Sequence, residues 1–274
     1  MPTVLILANE TIAGEALLER IKARGEEGAR FFVVVPQQRP RHGNVIYDEV
    51  VRDQAQVRVD LALEFIRDLG AAGEGEVGDQ DPFNAAMDAF RAQPIDEVIV
   101  STLPASTSGW VKRDLIERLE EATNVPVEHV VVDLEKEGLP FDVTLVVANL
   151  TVAAPELVER LKALADEGPR RFIVVVPQSG VQGHRVREAR QRLKRLLASL
   201  DDAGIVAAGM IGDPDPYTSV MNAVQYFHIS EIVISTLPEG SSQWVADKLV
   251  ERVREATNVS VEHIESRTAE KAEA

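Results

Sequence analysis

Glu97-Val98-Ile99-Val100-Ser101-Thr102-Leu103-Pro104 returns as Glu231-Ile232-Val233-Ile234-Ser235-Thr236-Leu237-Pro238. A β-branched apolar run that breaks into two hydroxyls, a leucine and a proline has the outline of a buried strand ending in a loop. Its return makes the chain two copies of one domain, which is the first thing any fold reading must settle. Outward from this stretch the match continues. Asn9-Glu10-Thr11 pairs with Asn149-Leu150-Thr151, Pro36-Gln37 with Pro177-Gln178, Gly78-Asp79 with Gly212-Asp213, and Trp110 with Trp244. Ala122-Thr123-Asn124-Val125 pairs with Ala256-Thr257-Asn258-Val259. Half of 274 residues falls within the roughly 100–200 typical of one domain, so each copy can bury its own core.

Short apolar runs alternate with longer amphipathic segments. In the first copy Val4–Ala8, Phe31–Val35, Val98–Val100 and Val127–Val132 read as strands, with a weaker one around Ala71–Val77. Leu17, Leu18 and Ile21, matched by Leu157, Val158 and Leu161, recur at helical spacing, as do Leu115, Leu119 and Ala122 before Asn124 ends that helix. Strands alternating with helices imply right-handed crossovers and a parallel sheet covered on both faces, an α/β fold with two Rossmann-like or flavodoxin-like domains of five strands each. The continuously apolar strands belong in the centre and the weak third strand at an edge. From Pro36 and Pro177 to Gly78 and Gly212 the second copy is shorter by seven residues. The loss falls between the second and third strands, in the Tyr47–Leu69 and Arg185–Leu200 helices or their loops, and this helix reads as a solvated face. The expected boundaries are 1–134 and 141–266 for the domains, 135–140 for a linker, and 267–274 for a disordered tail.

Composition narrows the function classes. With 45% hydrophobic and 27% charged residues the chain is ordinary for a soluble protein, and no apolar run approaches the ~20 residues of a membrane span. The start, Met1-Pro2-Thr3-Val4-Leu5-Ile6-Leu7-Ala8, lacks a basic region and reads as a strand rather than a signal peptide, so the expected location is cytoplasmic. The absence of cysteine excludes disulfides and thiolate chemistry. A formal charge of −16 argues against nucleic acid or an anionic membrane as a general partner. No Ser-His-Asp order, HExxH or P-loop occurs, so no catalytic role is expected and no metal site is assigned.

The β-α order, Val77-Gly78-Asp79-Gln80-Asp81-Pro82 with Ile211-Gly212-Asp213-Pro214-Asp215-Pro216, the helix running into Asp96-Glu97-Val98-Ile99-Val100, and the closing Asn124-Val125-Pro126-Val127 together resemble the universal stress protein family. The resemblance spans both copies, from Thr3 to about Ser266. It implies the sheet order 3-2-1-4-5, pairing of two domains through their fifth strands as a built-in pseudo-dimer, with Val127–Val132 beside Val259–Ile264 and a further homodimer as an option, and a role in stress response. Members that bind ATP carry glycine-x-x-glycine after the fourth strand, Gly-Ser at the start of the last helix, and an aspartate after the first strand. This chain has Ser101-Thr102-Leu103-Pro104-Ala105-Ser106-Thr107-Ser108-Gly109 and Glu239-Gly240-Ser241-Ser242-Gln243 in those places, and Asn9 and Asn149 for the aspartate. The ATP motif is degenerate in both copies. A small polar ligand, with ATP or AMP as the nucleotide candidates, remains the expected cargo; the alternative is a scaffold that engages protein partners.

Given that order, ligands bind outside the carboxyl ends of the strands where the order reverses, between strands one and four. The residues gathered there are Asn9, Thr11, Ser101 and Thr102 in one copy and Asn149, Thr151, Ser235 and Thr236 in the other. Pro36, Gln37, Pro177 and Gln178 flank them, and the hydroxyls of Ser106, Ser108, Ser241 and Ser242 follow. Each has a plainer reading beside the ligand one. Serines near a helix start cap it, asparagines suit turns, and Pro104 and Pro238 shape a loop. Trp110 and Trp244 pack in a core or interface or else stack on a base. Arg39, Arg41 and His42, with His184, Arg185 and Arg187, are either an anion subsite or a solvated helix start. His129 and His263 read as interface residues. Asp79, Asp81, Asp213 and Asp215 read as helix-capping carboxylates, with Asp81 and Asp215 at the N-cap.

Overall fold

The computed structural model describes the chain except Arg41, Asn44, Ser106, Thr107, Val111, Lys112, Arg113, Ala153, residues 179–182, Glu239 and 268–274, and the side chains of Gly183, His184 and Arg185. The first copy runs β1 (Thr3–Leu7), α1 (Glu15–Glu26), β2 (Arg30–Pro36), α2 (Asp48–Asp68), β3 (Gly73–Gly78), α3 (Pro82–Ala92), β4 (Glu97–Thr102), α4 (Leu115–Thr123) and β5 (Val127–Val131). A single helical turn, α5 (Leu134–Glu137), follows. The second copy runs β6 (Asp142–Val147), α6 (Pro155–Asp166), β7 (Arg170–Pro177), α7 (Gly183–Asp202), β8 (Ala207–Gly212), α8 (Pro216–Tyr226), β9 (Glu231–Thr236), α9 (Gln243–Ala246), α10 (Leu249–Ala256) and β10 (Ser260–Glu265). Two compact units result, Met1–Arg39 with Gln54–Pro140 and Pro40–Asp53 with Phe141–Ala274.

Among the described residues the strands form two five-stranded sheets, ordered β3-β2-β1-β4-β5 and β10-β9-β6-β7-β8. Every pairing is parallel. In each copy's own numbering this is 3-2-1-4-5, the doubly wound order expected from the sequence. The reason lies in the apolar runs: β1, β2, β4 and their counterparts are buried on both faces, which only a central position in a helix-covered sheet permits. Val4, Ile6, Leu17, Ile21, Phe31 and Val33 pack on one face of the first sheet, and Leu5, Leu7, Val34, Ala86, Val98 and Leu119 on the other.

The weak third strand does sit at an edge. In β3, Gly73 and Gly75 lie against α2, where an added Cβ would come within 2.9 Å of Ile66 Cγ2 and 2.8 Å of Val59 Cγ1. Glu74 and Glu76, which alternate with them, are exposed. A strand this short of apolar residues has edge character because its glycines make room for the helix.

The helices between second and third strands are not solvated faces. Ala55, Val59, Ala62 and Ile66 of α2 belong to the first unit's core, as Ala189, Leu193, Leu196 and Leu200 of α7 belong to the second's. A crossover helix must lay one side on the sheet it crosses, so even a strongly charged helix buries a stripe. The missing residues fall mainly before the helix: Gln37–Tyr47 joins β2 to α2, whereas residues 178–182 join β7 to α7.

The Gly-Asp-x-Asp-Pro stretches act as doubled caps. Asp79 Oδ1 accepts from the Asp81 amide at 2.8 Å, and Asp81 Oδ1 accepts from Phe83 and Asn84 amides at 2.9 and 3.2 Å, with Pro82 opening α3. Asp213 and Asp215 repeat this before α8, where Asp215 accepts from the Thr218 amide at 3.0 Å. Asp81→Ala is expected to cost about 1 kcal/mol, the usual worth of an N-cap. A lowered urea midpoint at unchanged slope would show it, and an unchanged midpoint would remove the cap from the account of α3.

Arg118 stacks over Phe83 at 4.1 Å and Arg252 over Tyr217 at 4.2 Å, tying α4 to α3 in the first copy and α10 to α8 in the second. Asn124 ends α4 with a left-handed φ of 55°, which asparagine tolerates. None of the described helices is long and apolar enough to cross a membrane.

Candidate functional site

The strand-order reversal in the second unit opens into a crevice of about 240 Å³. It is lined by Asn149, Leu150 and Thr151 after β6, Ser235, Thr236 and Leu237 at the end of β9, and Ser241, Ser242, Gln243 and Trp244 around the start of α9. Six of the eight second-copy residues singled out from the sequence are in that lining. Pro177 and Gln178 are not. Pro177 instead completes the ladder opposite Gly212, and Gln178 is buried, its Nε2 without a hydrogen-bond partner.

Most of the lining's polar side chains already hold a neighbour through one atom. Asn149 Oδ1 accepts from Arg192 Nη1 at 3.1 Å. Thr151 Oγ1 donates to the Ser235 carbonyl at 3.1 Å, closing β6 onto β9. Ser235 and Ser266 share a hydrogen bond between hydroxyls at 3.1 Å, both fully buried. Thr236 Oγ1 meets His263 Nε2 at 2.8 Å. Ser242 caps α9 through the Val245 amide at 3.4 Å and also faces the crevice, so the capping and lining readings both apply to it. Pro238 turns the loop, its carbonyl accepting from the Ser241 amide at 3.0 Å.

The first unit builds the same corner with different contacts. Asn9 Nδ2 donates to the Pro36 carbonyl at 2.9 Å, and Asn9 Oδ1 accepts from Arg58. Gln37 enters through its backbone, its amide donating to the Gly78 carbonyl at 3.3 Å. Thr102 Oγ1 lies 2.9 Å from the Leu103 carbonyl and shares a hydrogen bond with His129 Nε2 at 2.8 Å, the tautomer of the ring setting which of the two donates. Desolvation by the surrounding protein lowers the His129 pKa. Thr11 Oγ1 and Ser101 Oγ, by contrast, are buried with no hydrogen-bond partner. The partner that Ser235 has in Ser266 is Val132 in this copy, which cannot bond. Ser108 is buried, with its amide on the Pro104 carbonyl at 2.8 Å, and it precedes Asp114, the N-cap position of α4. Ser106 lies outside the described residues. Trp110 packs beside the core of Leu5, Val98 and Leu119, while its counterpart Trp244 lines a crevice.

Arg58 and Arg192 were missed by sequence reasoning. Both are nearly buried, 2% and 6% exposed, and both reach from the second helix of their copy to the asparagine after the first strand. Burial pulls the Arg192 pKa down, Glu188 opposes this, and Arg195 adds to the lowering. The signal was present: Arg58 and Arg192 stand at the same offset as Gly78 and Gly212, so they are the matched basic residues of two otherwise divergent helices. The described members of the basic set named after strand two make no such cluster. Arg39 is exposed and donates to Gln80 at 3.2 Å, while Arg187 is exposed. His42 is also exposed, and its backbone exchanges hydrogen bonds with the Asn222 side chain at 3.0 and 3.2 Å. Arg41 and the side chains of His184 and Arg185 lie outside the described residues. Among the described residues no group of three His, Cys, Asp or Glu is placed to hold a metal.

No family model matches the chain, and no curated protein matches it. Among solved structures it is similar to a universal stress protein from Archaeoglobus fulgidus DSM 4304, with 16% identity over 96% of each chain and a TM-score of 0.38. It is also similar to MurG from Acinetobacter baumannii, with 11% identity over 96% of this chain and 86% of that one and a TM-score of 0.24. A glycosyltransferase from Rickettsia africae ESF-5 matches at 12% identity over 98% of this chain and 85% of that one, with a TM-score of 0.26. At these scores the likenesses bear on neither mechanism nor ligand, and the two doubly wound sheets stand on their own strand order.

Proposed function

We propose that the chain is a tandem small-ligand binding protein of the universal stress protein type, acting in stress response or regulation, whose second-copy crevice holds a small polar molecule. The observation that carries this reading is the crevice itself: residues from two strand ends and one loop, far apart in sequence, line a single cavity where an open parallel sheet binds its ligands. Hydroxyls, amides and an indole supply orientation without an acid or base among the described lining residues, which supports binding rather than catalysis. AMP and ATP are the nucleotides to test first.

A ligand that binds only the folded state raises stability, by about 2.7 kcal/mol at one hundred times its Kd. The full chain is therefore expected to melt at higher temperature with millimolar AMP, ATP or adenosine, and Thr236→Val, which removes a lining hydroxyl, is expected to reduce the shift. No shift with any small polar ligand would sink the binding reading and leave the scaffold as the alternative.

A further inference from the structure

We propose that the second-copy crevice selects an uncharged ring with a hydrogen-bonding edge, a nucleoside or a monosaccharide, over a polyphosphate, and that Trp244 is its specificity-determining wall. This rests on the binding reading above and narrows it.

The lining decides the charge. Asn149, Thr151, Ser235, Thr236, Ser241, Ser242 and Gln243 offer neutral donors and acceptors, and no described lining residue carries a charge. The guanidinium of Arg192, which reaches the lining residue Asn149, is 6% exposed and also engaged at 3.6 Å with Glu188. A polyphosphate needs cations or a run of backbone amides at its oxygens. The four-residue α9 offers only a single turn, and the chain's charge of −16 opposes the approach of a polyanion.

Size and shape point the same way. About 240 Å³ lies below the roughly 300–1,000 Å³ of sites for larger ligands. The apolar part of the lining is Leu150, Leu237 and the half-buried indole of Trp244. An aromatic face beside amides and hydroxyls is the combination that holds a flat or hydroxylated ring by stacking on one side and hydrogen bonds at its rim. The matched Trp110 of the first copy packs beside its core, whereas Trp244 lines the crevice of the second.

The chain contains two tryptophans. In Trp110→Phe, Trp244 is the sole indole and reports directly on the crevice. Adenosine, glucose, AMP and ATP are titrated against this full-length variant by fluorescence, with calorimetry on the unsubstituted chain. A saturable change with adenosine or glucose, at least tenfold tighter than ATP, is expected. Trp244→Ala is expected to weaken that ligand on the order of tenfold by calorimetry, and Trp244→Phe by less, as loss of a stacking face predicts. Which of the two neutral rings binds identifies the source. ATP binding more tightly than both overturns the proposal and leaves the binding reading standing. An unchanged affinity in Trp244→Ala overturns the role of the wall, and silence from all four ligands overturns both.

Discussion

Gly14→Ala is expected to destabilise the first unit by about 2 kcal/mol, the usual cost of overpacking a tight interior. A Cβ at Gly14 would stand 2.9 Å from Val132 Cγ2 and 3.1 Å from Val132 Cβ, and closer still to Cγ1. Val132 is fully buried, and its β-branched side chain is stiff at χ1, so it gives way only at a cost. The second copy shows the relief. There the position of Gly14 is Ala154 and that of Val132 is Ser266, both buried, the larger residue at the first position matched by a smaller one at the second. Val132→Ser alone is expected to cost about 1–2 kcal/mol in lost packing. Together with Gly14→Ala it is expected to cost less than the two changes added, with a coupling of at least about 1 kcal/mol. The double variant also gives Ser101, whose hydroxyl lacks a partner, the neighbour that Ser235 already has. Urea midpoints for the four members of the cycle measure the coupling; strict additivity would show that the two positions do not share one space.

Arg192→Ala carries the second large effect, a loss of about 2–4 kcal/mol. It removes a charge-assisted hydrogen bond to Asn149, costs that carbonyl oxygen this donor, and empties the space of a side chain that is 6% exposed. Arg192→Met tests which part dominates. Methionine fills most of the space and needs no solvation for a charge, whereas burial already presses on the guanidinium. The methionine variant is therefore expected to lose less than half as much as the alanine variant. Equal losses in thermal and urea melts would assign the whole effect to the hydrogen bond.

The sheets were legible because their signal is redundant. β1, β2 and β4 carry β-branched apolar runs in both copies, broken within the run only by Thr144, and two independent readings of one strand leave little room for error. The edge position of β3 was legible for the opposite reason, its Gly-Glu alternation having nothing to bury on two faces. The crevice was legible as a location, since it follows from strand order, and six lining residues were named from it. Arg58 and Arg192 were not. Their helices carry charged residues all along their length, and periodicity cannot separate an inward arginine from an outward one when its stem packs like a hydrocarbon. The different fates of Trp110 and Trp244 were equally hidden, because identical residues in matched positions were set apart by the loops around them. The Gly14–Val132 and Ala154–Ser266 exchange was open to view in the repeat but had no meaning until the two positions were known to touch.

The glutamates of β3 also set the charge of that sheet edge. A sheet edge leaves a row of backbone groups unpaired, and a strand from another molecule can dock on it. Here that row runs beside Glu74 and Glu76, exposed and alternating with glycines that have turned their bare side to α2. An incoming copy of the same edge would bring the same carboxylates into register with its own. The residues that make β3 a poor strand thus also make its edge a charged one, which disfavours pairing with a second copy of itself.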